Sequence, residues 1–322
     1  MSDAIKVSCS ELKGTRARRP FFGGVGLYLR IASKSESNMD PDWQFSVSDA
    51  CYCLDQIGQF QKDEIALSLN LFANPTGLQI AGGEPFHNQD DLDVLLDCAL
   101  RNHMVPEVVT FARWADSLRS TNDILARFKG KLNPLTIYAH SSQIEKYGIE
   151  HIRFALEVAD KLDTNVTVLC DVGSNRDLLV ELFDLESINC RTSIIRVSHS
   201  QYKKTTPHDA VQFLLPEPPR HRRCAELMGF TIVPGCDIYP CSSSIGIRSF
   251  CAGNLKKQPV EDIMKSIYFN HTFNKLRNEG PHYIFRSITS AGKRDLLREG
   301  YMDTCDFHGH VLTDPVFLEF CN

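Results

Sequence analysis

The chain has 322 residues, of which 43% are hydrophobic, so it can bury the core of one large domain and a smaller one. Its net charge of −5 is small for this length, which excludes a general attraction to nucleic acid or acidic lipid. There is no run of eighteen apolar residues, and the first residues lack the apolar core of a signal peptide. We therefore expect a cytoplasmic protein that binds neither nucleic acid nor a membrane.

Apolar runs typical of strands alternate with amphipathic stretches from residue 25 to about residue 200. The predicted strands are residues 25–31, 77–81, 107–111, 135–139, 165–170 and 193–198. The predicted helices are residues 46–60, 89–102, 121–128, 148–162 and 176–185. Repeated βα units predict an α/β fold with a parallel sheet, and six of them predict a partial (βα)6 TIM-like barrel. Ligands of such a sheet bind at the carboxyl ends of its strands.

Three prolines within residues 214–219 predict a domain boundary, because proline continues neither a helix nor a central strand. Residues 1–213 would then form the partial barrel with an N-terminal extension. Cysteine and glycine are denser beyond the boundary, so residues 214–322 are predicted to form a small cysteine-rich α+β domain that binds metal. Within that domain we expect a helix over residues 260–275 and irregular structure over residues 280–300.

The twelve cysteines are many for a chain without an export signal. Because the cytosol keeps thiols reduced, we do not expect a disulfide framework. Metal binding and burial are the remaining interpretations, since a free cysteine behaves as a small hydrophobic residue. Cys98, Cys170 and Cys190 lie in apolar surroundings and are assigned to the core.

The second predicted strand runs directly into Gly82, Gly83, Glu84 and Pro85. Glycines here let the backbone approach a ligand closely, although a tight βα turn explains the same residues. At this position the chain resembles the radical S-adenosylmethionine (SAM) superfamily, in which the corresponding glycine–glycine–glutamate turn contacts the methionyl amino group of SAM. The resemblance implies that these four residues bind SAM, together with Ser198 at the end of a later strand.

Radical SAM proteins carry a Cys-x3-Cys-x2-Cys motif after the first strand, and its thiolates hold a 4Fe–4S cluster that chelates SAM. Ser35, Met39 and Asp42 stand at these positions, so the ligands of the SAM cluster are missing. Cys51 and Cys53 follow on a predicted helix, where residues two apart point roughly 200° apart and cannot readily share a metal. Without the cluster, reductive cleavage of SAM has no evident mechanism.

The C-terminal part contains Cys224, then Cys241 after a predicted hairpin, and finally the segment YMDTCDFHGH with Cys305 and His308. This order resembles the auxiliary-cluster domains called SPASM and twitch, with His308 in place of the last cysteine. The resemblance implies three thiolates and one imidazole, a set that suits an auxiliary iron–sulfur (4Fe–4S) cluster or zinc. The alternative ligands are Cys236, Cys251, His310 and Cys321.

Three functions fit these patterns. The first is a radical SAM homologue without radical chemistry, retained as a binding partner for a peptide, for a small-molecule substrate or natural-product precursor, or for an active partner enzyme. The second is a SAM-dependent enzyme that uses an unusual cluster or polar chemistry, with Glu84, His140, Asp171 and His199 as candidate acids and bases. The third is a zinc-stabilised binding protein.

Overall fold

The computed structural model describes residues 27–30, 46–62, 76–171, 176–188, 192–196, 230–241, 244–245 and 250–299, and positions 301, 307, 310–311, 315–318 and 320. Within these residues, nine strands form a single sheet. The strands are β1 (Leu27–Arg30), β2 (Thr76–Ala81), β3 (Met104–Thr110), β4 (Leu135–His140), β5 (Val166–Asp171), β6 (Thr192–Arg196), β7 (Phe230–Ile232), β8 (Asp237–Tyr239) and β9 (Gly253–Asn254).

Helices connect most of the strands and form the C-terminal part of the described chain. They are α1 (Val47–Phe60), α2 (Gln89–Arg101), α3 (Leu118–Arg127), α4 (Ser141–Tyr147), α5 (Glu150–Lys161), α6 (Arg176–Asp184), α7 (Val260–Tyr268), α8 (His271–Glu279), α9 (His282–Ser290) and α10 (Pro315–Leu318). In the part of the chain that the structure describes, no helix combines the length and the apolarity that crossing a membrane requires.

Strands β1 to β6 are parallel and lie in the sheet in their order along the chain. Each is joined to the next through at least one helix, so the first half of the protein is a series of βα units. The predicted α/β class with a parallel sheet is therefore confirmed, and the arrangement fits a partial TIM-like fold. The carboxyl ends of these strands meet along one edge of the sheet.

The core lies between one face of the sheet and the helices. Strand β3 shows the pattern, because its buried residues alternate with partly exposed ones from Met104 to Thr110. Helix residues such as Leu92 and Leu95 belong to the same buried cluster. The strand residues in that cluster that are at most 1% exposed include Leu78, Ile80, Val108, Leu135, Ile137, Val166 and Val168. The face of the sheet that looks away from the helices is less completely buried.

Polar caps begin α1 and α2 where the sequence patterns place them, whereas α3 begins at Leu118, three residues before its predicted start. Ser46 accepts a hydrogen bond from Asp49 N at 3.1 Å at the start of α1, and Asn88 accepts one from Asp91 N at 3.2 Å at the start of α2. Helix α4, in contrast, has no counterpart among the predicted helices.

The single helix predicted over residues 260–275 is wrong, because the structure has two helices there, α7 and α8. Asn270 separates them, since its side chain caps α8 by accepting a hydrogen bond from Phe273 N at 3.0 Å. The irregular structure expected over residues 280–300 is wrong for residues 282–290, which form α9, whereas residues 291–299 contain only turns and a short 3-10 helix. Gly280, with φ of 76°, ends α8, and α9 begins two residues later, with Tyr283, Ile284, Phe285 and Ile288 buried.

The C-terminal part of the chain joins the same sheet as the first half. Strand β7 pairs in parallel with β1, and β8 and β9 continue the sheet in antiparallel pairs. Lys256 also forms an ion pair of 2.7 Å with Asp49 of α1, and Tyr52 OH donates to Leu255 O at 3.3 Å. The boundary predicted at residues 213 and 214 lies outside the described residues, so the division into two domains stays a prediction.

Candidate functional site

The glycine–glycine–glutamate turn follows β2 at the carboxyl edge of the sheet. Gly82 and Gly83 have φ angles of 97° and 59°, in the left-handed region that glycine adopts without a steric penalty. Gly83 is exposed, whereas Glu84 and Pro85 are buried. The turn therefore has two consecutive residues without side chains at the end of the sheet where ligands of such folds bind.

The Glu84 side chain points into the protein and joins two neighbouring loops. Its Oε1 accepts hydrogen bonds from Thr110 Oγ1 at 2.6 Å and from Phe86 N at 3.3 Å, and its Oε2 accepts one from Phe111 N at 3.1 Å. Thr110 ends β3, so the carboxyl group fixes the turn after β2 to the end of the next strand.

The Thr110 hydroxyl is the centre of this hydrogen-bond network. Besides donating to Glu84, it accepts from Ala112 N and from Trp114 Nε1, each at 2.9 Å. The Trp114 ring packs on Phe86 with ring centroids 4.3 Å apart. The loops that follow β2 and β3 are thus held together by both polar and aromatic contacts.

Burial raises the pKa of Glu84, and this effect exceeds the opposing effect of its hydrogen bonds and of the nearby Arg113 charge. With its oxygens engaged by the protein, Glu84 is placed to hold the turn and not to transfer protons to a ligand. Among the described residues of the predicted SAM site, Gly82 and Gly83 are the ones that are not buried.

A group of aromatic and cationic side chains lies beside the turn, at the ends of β3 and β4. Phe111 and Tyr138 contact edge to face with centroids 5.9 Å apart, and Tyr138 stacks with His140 at 6.4 Å. The Arg113 guanidinium lies over the rings of Phe111 and Tyr147 at 5.2 and 4.8 Å. Phe111 and Tyr138 fall within the predicted strands, but only their position at a strand end distinguishes them from core aromatics.

The remaining candidate acids and bases are only partly described. His140 ends β4 and is partly exposed, and burial lowers its pKa against the opposing charge of Glu145. A lowered pKa favours the neutral imidazole, the form that can accept a proton. Asp171 is the register neighbour of His140 on β5, and His199 lies outside the described residues.

Many of the residues named for the cluster motif, the SAM site and the C-terminal metal site lie outside the described residues. These are Ser35, Met39 and Asp42 of the missing cluster motif, Ser198 of the SAM site, and Cys224, Cys305, His308 and Cys321 of the C-terminal set. Cys241 is described and is buried. Among the described residues, no three histidine, cysteine, aspartate or glutamate side chains converge to hold a metal ion. The ligand set stays a prediction.

Three of the four alternative ligands are described, and each contacts a protein group. The Cys236 thiol interacts with the Cys53 thiol, and Cys251 Sγ lies 3.6 Å from Gly253 O. His310 Nδ1 lies 2.9 Å from Tyr301 OH. Each thiol would have to lose its proton to bind a metal, whereas His310 could bind one through Nε2 while Nδ1 keeps its contact with Tyr301.

Helix α1 directs its two cysteines to different partners. Cys51 interacts with Cys98 of α2, and Cys53 interacts with Cys236 between β7 and β8. Cys53 and Cys98 are buried, and so is Cys170 on β5. The two thiols of α1 therefore do not converge on a shared metal, which agrees with their spacing on the helix.

Neither the known protein families nor the curated proteins include a match to this sequence. Among solved structures, the chain is similar to that described as the crystal structure of BtrN in complex with AdoMet and 2-DOIA. The two chains are 12% identical, the match covers 82% of this chain and 89% of that chain, and the TM-score is 0.38. Function is therefore inferred from the α/β fold and the residues of this chain.

Proposed function

We propose that this protein binds SAM or a related adenosyl compound at the turn formed by Gly82 and Gly83 and does not cleave it reductively. The observation that carries the proposal is the conformation of the turn. Two consecutive residues with positive φ end β2 at the carboxyl edge of a parallel sheet, and the side chain that follows points inward. Such a turn allows a polar ligand to contact the backbone directly.

Glu84 is a positioning residue in this proposal. Its bonds to Thr110 and Phe111 keep the turn in one conformation, so the backbone of the glycines is organised before the ligand arrives. The Arg113 guanidinium and the rings of Phe111 and Tyr138 lie beside the same edge of the sheet. Together they suit a ligand that carries an adenine ring and a carboxylate.

The residues present do not fit the cluster that reductive cleavage requires. The sequence has no cysteine between Cys9 and Cys51, so the segment after β1 offers no thiolate to an iron–sulfur cluster. Cys51 and Cys53 do not replace the missing ligands, because their thiols interact with Cys98 and Cys236. We therefore assign no radical step to this protein.

The biological role that follows is that of a binding or scaffolding partner, which presents SAM, a peptide or a natural-product precursor to an active enzyme. The C-terminal part would bind an iron–sulfur cluster or zinc through Cys224, Cys241, Cys305 and His308. These four residues form a chemically sound set of three thiolates and one imidazole.

His140 favours a second candidate function, a SAM-dependent enzyme that uses polar chemistry. It ends β4 at the ligand edge, is partly exposed and has a lowered pKa, so it could act as a general base near neutral pH. Turnover of a SAM-derived product that is lost in His140→Gln would favour this candidate over a pure binding role.

Calorimetric titration with SAM tests the first proposal. We expect the wild-type protein to bind SAM, and Gly82→Ala to weaken the affinity at least about tenfold, because alanine strains a φ of 97° and adds a methyl group to the turn. Gly292→Ala is the matched control, since Gly292 has a φ of 75° and open space for a methyl group but lies in the C-terminal helical part. Absence of heat with the wild-type protein, or equal affinity in the Gly82 and Gly292 variants, would contradict the proposal.

A further inference from the structure

Glu107 occupies a central position on the sheet face that looks away from the helices. On β3 it lies between Pro106 and Val108, which are buried on the helix side, whereas Glu107 itself is only partly buried. Its register neighbour on β2 is Gln79, which also points away from the helices. A carboxyl group in the middle of a central strand is unusual, because strands in such sheets are filled mainly by apolar residues.

Polar side chains on neighbouring strands form a row across this face. Gln79 forms a hydrogen bond with the Glu107 carboxyl group from one side, and Thr136 Oγ1 of β4 donates to Glu107 Oε1 from the other. Thr167 of β5 is the register neighbour of Thr136 and continues the row. We call Gln79, Glu107, Thr136 and Thr167 the polar row.

Nothing charged balances Glu107 in the described part of the chain. Both hydrogen-bond partners are neutral, and none of the ion pairs formed by described residues includes Glu107. Burial raises the pKa of Glu107 above its ordinary value, against the effect of these two hydrogen bonds. A glutamine could make the same two contacts without this cost, so the fold alone does not account for a carboxyl group at this position.

The polar row lies nearer to the amino ends of the strands than the turn that contains Gly82 and Gly83. Glu107 precedes Thr110 by three residues, so it lies about 10 Å from the carboxyl edge at about 3.3 Å per residue. Residues an even number of positions apart on a strand lie on the same face of the sheet. Phe111 lies four residues after Glu107, and Tyr138, whose ring contacts Phe111, lies two residues after Thr136. Phe111 and Tyr138 therefore lie on the same face of the sheet as Glu107, nearer to the carboxyl edge and to the turn.

We propose that Glu107 binds the ammonium group of an amine that enters from the carboxyl edge of the sheet, with the neutral members of the polar row orienting it. The cation supplies the charge that the described chain does not, and it stabilises the ionised carboxylate. The location of this site rests on the proposed function, since it assumes that ligands enter beside Gly82 and Gly83. The amine is a second ligand, distinct from SAM.

Titrations with two small molecules of similar length test this inference. The probe is 1,5-diaminopentane, and the uncharged control probe is 1,5-pentanediol. We expect the wild-type protein to prefer the diamine at least about tenfold, and Glu107→Gln to remove the preference while it keeps the contacts to Gln79 and Thr136. Asp123→Asn is the matched control, because it removes an equal charge from the exposed surface of α3 and should leave the preference unchanged.

Circular dichroism establishes that each variant is folded. Glu107→Asp keeps the charge, so it should retain part of the preference and provides the measurement if Glu107→Gln does not fold. No preference in the wild-type protein, or the full preference in folded Glu107→Gln, would overturn the inference. SAM titration of the same variants separates the two proposals, because Glu107→Gln should bind SAM like the wild-type protein. If the wild-type protein prefers the diamine but does not bind SAM, the proposed function is overturned and the inference about Glu107 is not.

Discussion

The Thr110 hydroxyl lies 2.6 Å from Glu84 Oε1 and connects the end of β3 to the turn that follows β2. Because the same hydroxyl accepts hydrogen bonds from Ala112 N and Trp114 Nε1, one side-chain oxygen organises two loops at the carboxyl edge. The conformation of the candidate ligand site is therefore set by a residue outside the glycine turn itself.

Replacing Thr110 by valine should destabilise the protein by about 2–3 kcal/mol, because the buried Glu84 carboxyl group and the partly buried Trp114 indole each lose a hydrogen-bond partner. Thr121→Val is the matched control. Thr121 is fully buried, but its hydroxyl has no hydrogen-bond partner among the described residues, so valine should change the free energy of unfolding by less than about 0.5 kcal/mol or increase it. Denaturant unfolding checks both variants, and equal effects would refute the role assigned to Thr110.

Ionisation of Glu107 should lower the free energy of unfolding of the protein above pH 4.5. Because its pKa is raised in the folded state, the folded protein binds more protons than the unfolded one at this group, and the free energy of unfolding falls as pH rises through that window. Glu107→Gln removes this contribution, so the variant should gain stability relative to the wild-type protein as pH rises from 4.5 to 8.

Comparison of the two proteins at each pH isolates Glu107, because Glu84, His140 and His151 titrate equally in both. Urea unfolding at several pH values measures the difference. A difference that stays constant from pH 4.5 to pH 8 would show that Glu107 has an ordinary pKa in the folded protein.

The buried thiols should react slowly with iodoacetamide in the native protein. Burial raises the pKa of Cys98 and of Cys170 to about 12, and burial likewise raises the pKa of Cys53, so few of these groups are thiolates at pH 8. Cys51 and Cys251 are both partly exposed, but burial raises the pKa of Cys51, so Cys251 should be modified first among the described cysteines that remain free of metal. Mass spectrometry of peptides after labelling gives the order, and rapid modification of Cys53 before unfolding would contradict it.

Metal binding in the C-terminal part should depend on Cys241. Cys241→Ala should lose the bound iron and sulfide, or the zinc, because a site with one ligand fewer has an open position and lower affinity. Cys251→Ala is the matched control and should keep the metal, since Cys251 Sγ contacts Gly253 O. Anaerobic metal and sulfide analysis measures both, and equal metal contents would remove Cys241 from the ligand set.

The position of the glycine turn could be predicted because an apolar run ends directly in two glycines, and both the strand and the turn are local features. The inward direction of Glu84 could not be predicted, since it depends on Thr110 of another strand. The central position of Glu107 on its strand could not be predicted, because Pro106 precedes it. Proline is unusual in a central strand, so the predicted strand began at residue 107, whereas β3 begins at Met104 and places Glu107 in its middle.

The helices beyond residue 260 were the least predictable part of the fold. A break at Asn270 is short enough to be lost within a continuous amphipathic pattern, because asparagine is tolerated in helices and also caps them. Helix α9 has polar residues at many positions. Its apolar face is set by burial of Tyr283, Phe285 and Ile288, and Phe285 packs on Phe307, which is a tertiary contact.

The amount of 5′-deoxyadenosine formed from SAM by anaerobically reconstituted protein under dithionite tests the central claim most directly, because this product appears only when SAM is cleaved reductively. We expect no more product than in the buffer control, with SAM still bound at the turn formed by Gly82 and Gly83. Sustained formation of 5′-deoxyadenosine above that background would contradict the claim, since it would require a cluster that the sequence after β1 has no cysteine to hold.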